Sequence, residues 1–179
     1  AIEMNLDSRK AVTLPAAAPL VDFANASTYN NATSMTLYDA KGQDVAISFY
    51  FQKAANDQWN VYATANGSTV AGNAAAPLPI TTIDFQSNGS APIAPNAPVA
   101  INIPGSVNAV GAQTEPINGL LLDLSGATQF GSAYGVTDIR QDGYTAGLLS
   151  SISVEPNGVV MARYSNGQSK PSGQIELAN

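Results

Sequence analysis

Apolar and polar residues alternate one by one along much of this chain, a period of two that belongs to β-strands and not to helices. The opening AIEMNL sets Ile2, Met4 and Leu6 against Glu3 and Asn5 and predicts a strand with one buried face. Residues 7–31 break that rhythm with Pro15 and Pro19, so they read as a long extended connection with one short helical turn near Ser27–Asn31. Ala16, Ala17 and Ala18 lie between those prolines, which argues against a stable helix there despite alanine's propensity.

The clearest alternation spans residues 34–67. Met35–Tyr38 predicts one strand and Asp39-Ala40-Lys41-Gly42 its turn, with Asp at the start and Gly at the end. Val45–Gln52 predicts a second strand, with Val45, Ile47, Phe49 and Phe51 on one face and Ala46, Ser48 and Tyr50 on the other. Asn56-Asp57 reverses the chain, and Trp59, Val61 and Ala63 then alternate with Asn60, Tyr62 and Thr64 up to Asn66-Gly67. An antiparallel meander with an aromatic-rich face follows.

Between 70 and 117 the signal weakens into Ala/Pro-rich loops at 71–79 and 90–98, around strand candidates at 80–85 and 99–104. Residues 118–126, NGLLLDLSG, predict a strand buried on at least one face, and 127–147 form a Gly-rich excursion. Residues 148–156, 159–165 and 173–177 predict a second meander. Asn-Gly pairs begin at Asn66, Asn88, Asn118, Asn157 and Asn166 and predict tight turns, because a type I′ turn needs positive φ at both central residues. The sum is an all-β chain of about nine or ten strands, an antiparallel barrel or sandwich-like domain with a short meander after it. No amphipathic helix and no repeat of fixed period is evident.

Composition narrows the chemistry. Charged residues are 11% of the 179, against an ordinary apolar share of 45%, so the surface is polar through Asn, Gln, Ser and Thr. Such a surface packs against neighbours at little desolvation cost. The net charge is −6, and only Arg9-Lys10 among the bases are adjacent, which argues against nucleic acid and anionic membrane as partners. No apolar run approaches the ~20 residues of a spanning helix. The chain lacks Cys and His, which removes disulfides, thiolate and imidazole catalysis and the commonest zinc ligands. Starting at Ala1, it is expected to be a fragment or processed product.

The remaining candidates are few. Asp39 with Asp44, and Asp138 with Asp142, flank turns and could form a calcium site or an acid/base pair, although Asp at a turn ordinarily caps it through its side-chain oxygen. Gly131, Gly135, Gly143 and Gly147 have neither the spacing of a phosphate loop nor a following helix, and flexibility explains them better. Trp59 with Tyr50 and Tyr62 could make a sugar-stacking strip, against which stands ordinary core packing. Ser150, Ser151 and Ser165 have no neighbouring base. No residue is therefore assigned a catalytic, cofactor-binding or metal-ligating role, and no cofactor is expected.

Three stretches carry a family resemblance. Residues 142–179, DGYTAGLLSSISVEPNGVVMARYSNGQSKPSGQIELAN, resemble the segment of the bacterial flagellar hook proteins where the chain returns from the outer domain. Residues 29–63, YNNATSMTLYDAKGQDVAISFYFQKAANDQWNVYA, resemble the same family's run of a Tyr-Asn, a Tyr-Asp turn, a Phe strand and a Trp strand, and AIEMNLDS resembles its opening strand. Ser172 departs from the pattern, which has a larger apolar residue before Gly-Gln. Residues 70–117 match by position alone, as a variable insert would.

The resemblance implies a structural, non-enzymatic role: an extracellular subunit that assembles with copies of itself into a curved helical tube and transmits torque to the filament. Cap, rod and hook–filament junction proteins would be partners of the full-length form. It also implies an outer β domain over 1–142, a segment of the next domain inward over 143–179, and terminal helices outside this sequence. The absence of Cys suits an exposed assembly. Lattice contacts are expected through loops 70–79 and 86–98. A carbohydrate-binding or adhesin-like module using Trp59 and Tyr62, and a hydrolase using an Asp pair, are the competing readings.

Overall fold

The computed structural model describes residues 1–140, together with the backbone of Ser150–Ser151 and Arg163–Tyr164. Strand β1 (Ile2–Asn5) comes first, and a single 3-10 turn at Ala26–Thr28 follows, capped where the Asn25 side chain accepts from Ser27 N. Then β2 (Asn31–Tyr38), β3 (Asp44–Ala55) and β4 (Gln58–Ala65) pair antiparallel in succession, as their alternation predicts. Short strands fill the next stretch: β5 (Ser68–Thr69), β6 (Gly72–Asn73), β7 (Ala76–Pro77), β8 (Thr81–Phe85) and β9 (Pro92–Ala94). They are followed by β10 (Val99–Ile103), β11 (Ile117–Leu122), β12 (Ala127–Thr128) and β13 (Gly135–Ile139), and by the two-residue pieces β14 (Ser150–Ser151) and β15 (Arg163–Tyr164).

The largest sheet runs β15-β14-β2-β3-β4-β8-β9, with β5 beside β4. Its pairings are antiparallel, and the ladder stays open: no strand returns to close a barrel among the described residues. A smaller sheet places β1 between β12 and β13, and the β1–β12 pairing is parallel. β10 and β11 form a separate hairpin, and β6 and β7 a small arm. The fold is all-β and largely antiparallel.

Register explains the core. Phe49 faces Ala63, Phe51 faces Val61 and Lys53 faces Trp59 across the β3–β4 ladder, so large and small residues alternate on one face. That face joins Ile2, Met4 and Leu6, Ile101 and Ile103, Leu122 and Leu124 in a single apolar cluster. The faces predicted for β3 hold: Val45, Ile47, Phe49 and Phe51 are buried, Ala46 is exposed and Ser48 and Tyr50 are half-buried. β11 is more exposed than its apolar run suggests, because it belongs to a two-stranded hairpin: Leu122 is buried while Leu121 turns outward.

The Asn-Gly pairs divide. Asn66 and Gly67 have φ of 50° and 82° and close the β4–β5 turn with both central residues left-handed, as expected. Asn88-Gly89 does otherwise. Only Gly89 is left-handed, at φ 74°, its N–H bonds Gln86 O at 2.8 Å, and a Cβ there would meet Gln129 O. Asn118-Gly119 is not a turn at all. It lies inside β11 as a bulge, since Ile101 faces Leu120 while Ile103 faces Ile117, and Gly119 takes φ 72°. The same dipeptide serves a turn or a bulge because both place the glycine in the left-handed region, while the Asn is left-handed in the turn at Asn66 and not in the bulge at Asn118. Asn157-Gly158 and Asn166-Gly167, the second meander and Ser172 lie outside the described residues.

Candidate functional site

The aromatic strip does not form. β4 sends Trp59 to one face of the sheet and Tyr62 to the other, and they are 0% and 1% exposed. The Trp59 indole donates to Gln129 Oε1 at 2.6 Å, and Gln129 Nε2 donates to Asp57 Oδ1 at 2.9 Å. Tyr50 meets the rings of Phe23 and Tyr29 at centroid distances of 4.5 and 5.0 Å. The 20–30 segment thus covers the second face of the sheet. These residues pack, and offer no stacking surface to a sugar.

The carboxylates are structural as well. Asp39 is buried; its Oδ1 accepts from Lys41 N and Gln43 N at 2.9 and 2.8 Å, and its Oδ2 from Glu115 N at 2.7 Å. Burial pushes its carboxyl up, but the N–H groups of Glu115, Gln43 and Lys41 together outweigh that and hold it below the ordinary value. Asp44 takes a different partner, Asn108 Nδ2 at 3.1 Å, so the two acids hold the 104–116 loop and do not converge. Asn66 Nδ2 to Ser106 Oγ at 2.9 Å and Gln43 Nε2 to Gln113 O at 3.1 Å complete this latch.

The latch makes a pH prediction. A carboxyl held below its unfolded value of 3.8 stabilises the fold fully above that value and loses the contribution as pH falls through the lowered one. Asp39→Ala is expected to cost about 2–3 kcal/mol at neutral pH, from three bonds to a buried anion. Asp39→Asn is expected to flatten the acid side of the stability curve, measured by urea unfolding between neutral pH and pH ~3. Asp7 keeps its own share of that slope: the Arg9 guanidinium and N–H hold its carboxyl down to about 2.

Asp138 pairs with Arg140 Nε at 2.6 Å on the surface, and its expected partner Asp142 lies outside the described residues. Gly131 is exposed near Phe130, Asp57 and Gln129, and Gly135 lies within β13 with no helix after it. Gly143, Gly147 and Ser165 are outside the described residues, and only the backbone of Ser150 and Ser151 is described. Among the described residues no three metal-ligating side chains come together.

What the sequence reading misses is how the 7–30 connection is fastened. β3 runs past the start of β2, since Asn31 faces Phe51, and the connection wraps around that projecting end. Lys53, 7% exposed, donates through Nζ to the carbonyls of Ser8 and Lys10 at 2.9 and 3.0 Å. On the other face Gln52 donates through Nε2 to Leu20 O and Thr28 O at 2.6 and 2.7 Å, and its Oε1 accepts from Asn60 and Tyr62. Asn30 ties the crossing point: its Oδ1 accepts from Lys53 N and Thr13 Oγ1, and its Nδ2 donates to Ala11 O. The sequence signal was a polar pair at the end of an apolar strand.

Outside this frame lie exposed apolar side chains: Leu78 after the β6–β7 arm, Ile93 on β9, and Val107 and Val110 on the latch loop. β9 is the last strand of the main sheet, and Pro92 within it, with Pro95 and Pro98 after it, discourages further strand pairing.

Buried polar groups engaged in tying loops to a β frame, beneath a weakly charged surface, define a structural module. The chain belongs to the flagellar hook protein family: the family model "Flagellar basal body protein FlaE D2 domain" matches residues 5–144. It is 31% identical to the flagellar hook protein FlgE of Escherichia coli K12 over 99% of this chain and 41% of that protein. It is 30% identical to that of Salmonella typhimurium LT2, with the same coverage, and 31% identical to that of Brucella abortus over 84% of this chain and 34% of the relative. A solved 32 kDa fragment of FlgE from Caulobacter crescentus aligns with 64% of this chain and 46% of its own at 19% identity and a TM-score of 0.43. The chain spans about two-fifths of the length of the first two relatives. Members of this family are structural, non-catalytic proteins.

Proposed function

We propose that this chain is the exposed β portion of a flagellar hook subunit, which assembles with copies of itself into a curved extracellular tube that carries torque to the filament. The family match over residues 5–144 carries this reading. In it, residues 1–142 form a sandwich-like outer domain and 143–179 return into the next domain inward. Neighbouring copies would be the main partners, with cap, rod and junction proteins meeting the full-length form. Head-to-tail contacts that do not close yield a helical tube. Low surface charge and small side chains let such contacts re-form at nearly equal energy as the tube turns.

The arm and the edge strand are the contacts this reading favours. Removing all of 70–98 would also remove β8, whose Ile83 and Phe85 are buried in the core, and so would test folding instead. Trimming residues 71–78 in the full-length protein leaves β4, β5 and β8 in place. The shortened subunit is expected to fold, with a circular dichroism spectrum close to that of the parent, and to form hooks of altered curvature and cells that swim poorly. Normal hook shape and swimming would remove the arm from the contact surface.

A further inference from the structure

We infer that Asn118 is a site of spontaneous isoaspartate formation, held in check by Asn102. The chemistry is intrinsic to Asn followed by Gly, where no Cβ on the second residue hinders ring closure. The Gly amide nitrogen loses its proton and bonds to the Asn Cγ, the Asn Cγ–Nδ2 bond breaks and ammonia leaves. Water then opens the resulting succinimide. Attack at the Cγ carbonyl gives aspartate; attack at the backbone carbonyl leaves the main chain running through the former side chain, as isoaspartate. No oxidant or cofactor is involved.

The fold treats its Asn-Gly pairs unequally. Asn66 is locked at both ends of its amide: Oδ1 accepts from Ala46 N at 2.9 Å and Nδ2 donates to Ser106 Oγ at 2.9 Å. Asn88 Oδ1 accepts from Ser90 N and Ser90 Oγ at 3.0 and 2.8 Å, and Gly89 is buried with both its N–H and its C=O bonded. Asn118 differs. It and Gly119 are exposed, the space around Gly119 is open, and the Asn118 side chain makes no hydrogen bond among the described residues. Its bulge carries the irregular register of the β10–β11 hairpin. One restraint on the reaction remains. Gly119 N–H, the nucleophile, donates to Asn102 Oδ1 at 2.8 Å from the facing strand, and Asn102 is itself exposed. Conversion would add a negative charge and an extra backbone methylene beside the outward Leu121 of a hairpin that buries Leu122.

The test is peptide mapping by mass spectrometry on the purified protein held at mildly alkaline pH, once folded and once in concentrated urea. In urea the Asn66, Asn88 and Asn118 pairs are expected to convert at similar rates. In the folded protein Asn118 is expected to convert at least about tenfold faster than Asn66, because local rigidity protects the latter. Asn102→Ala, which frees the nucleophile, is expected to raise the Asn118 rate several-fold. Asn102→Asp keeps an acceptor for the Gly119 N–H and is expected to stay as slow as the parent. Equal folded rates at Asn66 and Asn118, or no response to Asn102→Ala, would overturn the inference. So would equal acceleration by both Asn102 variants, which would assign the effect to loosening of the hairpin.

Discussion

Trp59→Ala is expected to lower the unfolding free energy by about 3–5 kcal/mol, the range for removing a fully buried large aromatic side chain. The indole sits between Lys53 on β3 and Ile83 on β8 and is sealed from solvent. Its loss leaves a cavity and also strips Gln129 Oε1 of its donor, a second cost because Gln129 is itself buried. Trp59→Phe separates the two: it restores most of the volume without the donor, and a loss of about 1–2 kcal/mol is expected from the orphaned amide. Guanidinium unfolding followed by far-ultraviolet circular dichroism measures both, since the variants remove the sole Trp of the sequence. A loss under about 1 kcal/mol for the alanine variant would mean that the indole is not a core residue.

Gln52→Ala comes next, at about 3 kcal/mol, chiefly through lost hydrogen bonds. Gln52 is fully buried, so the truncation leaves a cavity, and Leu20 O, Thr28 O, Asn60 Nδ2 and Tyr62 Oη each lose a partner as well. Gln52→Glu is the informative companion. A carboxylate cannot donate to the two carbonyls, so the variant is expected to be less stable than Gln52→Ala at neutral pH. Burial beside those carbonyls favours the protonated acid, whose folded pKa is thereby raised, so the deficit should shrink as pH falls toward ~5. Hydrogen exchange in residues 20–30 should rise in both variants while exchange in β3 and β4 stays slow. If the 20–30 segment stayed protected, Gln52 would not be what holds it.

The strands around the core were legible because they alternate. β2, β3 and β4 join apolar faces of period two to turns of recognisable chemistry, and their registers follow from that. β1 was legible for the same reason, and the helical turn expected near Ser27–Asn31 is found at Ala26–Thr28, starting one residue and ending three residues earlier. The 71–79 and 90–98 stretches hid β6, β7 and β9, because pairs of two or three residues are too short to show a period. Asn118-Gly119 looked like a turn because sequence shows the need for positive φ and not whether the backbone then reverses.

The fastenings were hidden for a different reason. Lys53 and Gln52 look like ordinary exposed polar residues at a strand end, since lysine is almost never fully buried without partners. Their partners are backbone carbonyls between 24 and 45 residues away in the sequence, which leave no compositional trace. Asp39 was read as a turn cap, which it is through Lys41 and Gln43; its second oxygen reaches Glu115, 76 residues on. Tyr62 is buried on a face that alternation assigns to solvent because the 20–30 segment, itself without period, lies over it.

Electron microscopy of the full-length parent under assembly conditions, with reconstruction of any tube it forms, bears most directly on the proposed hook role. The expected result is the β frame of residues 1–140 on the outside of a helical tube, its core unchanged, touching neighbouring copies through the 71–78 arm and the β9 edge. A parent that stays monomeric under assembly conditions, or a tube in which this portion is buried in the wall away from solvent, would contradict it.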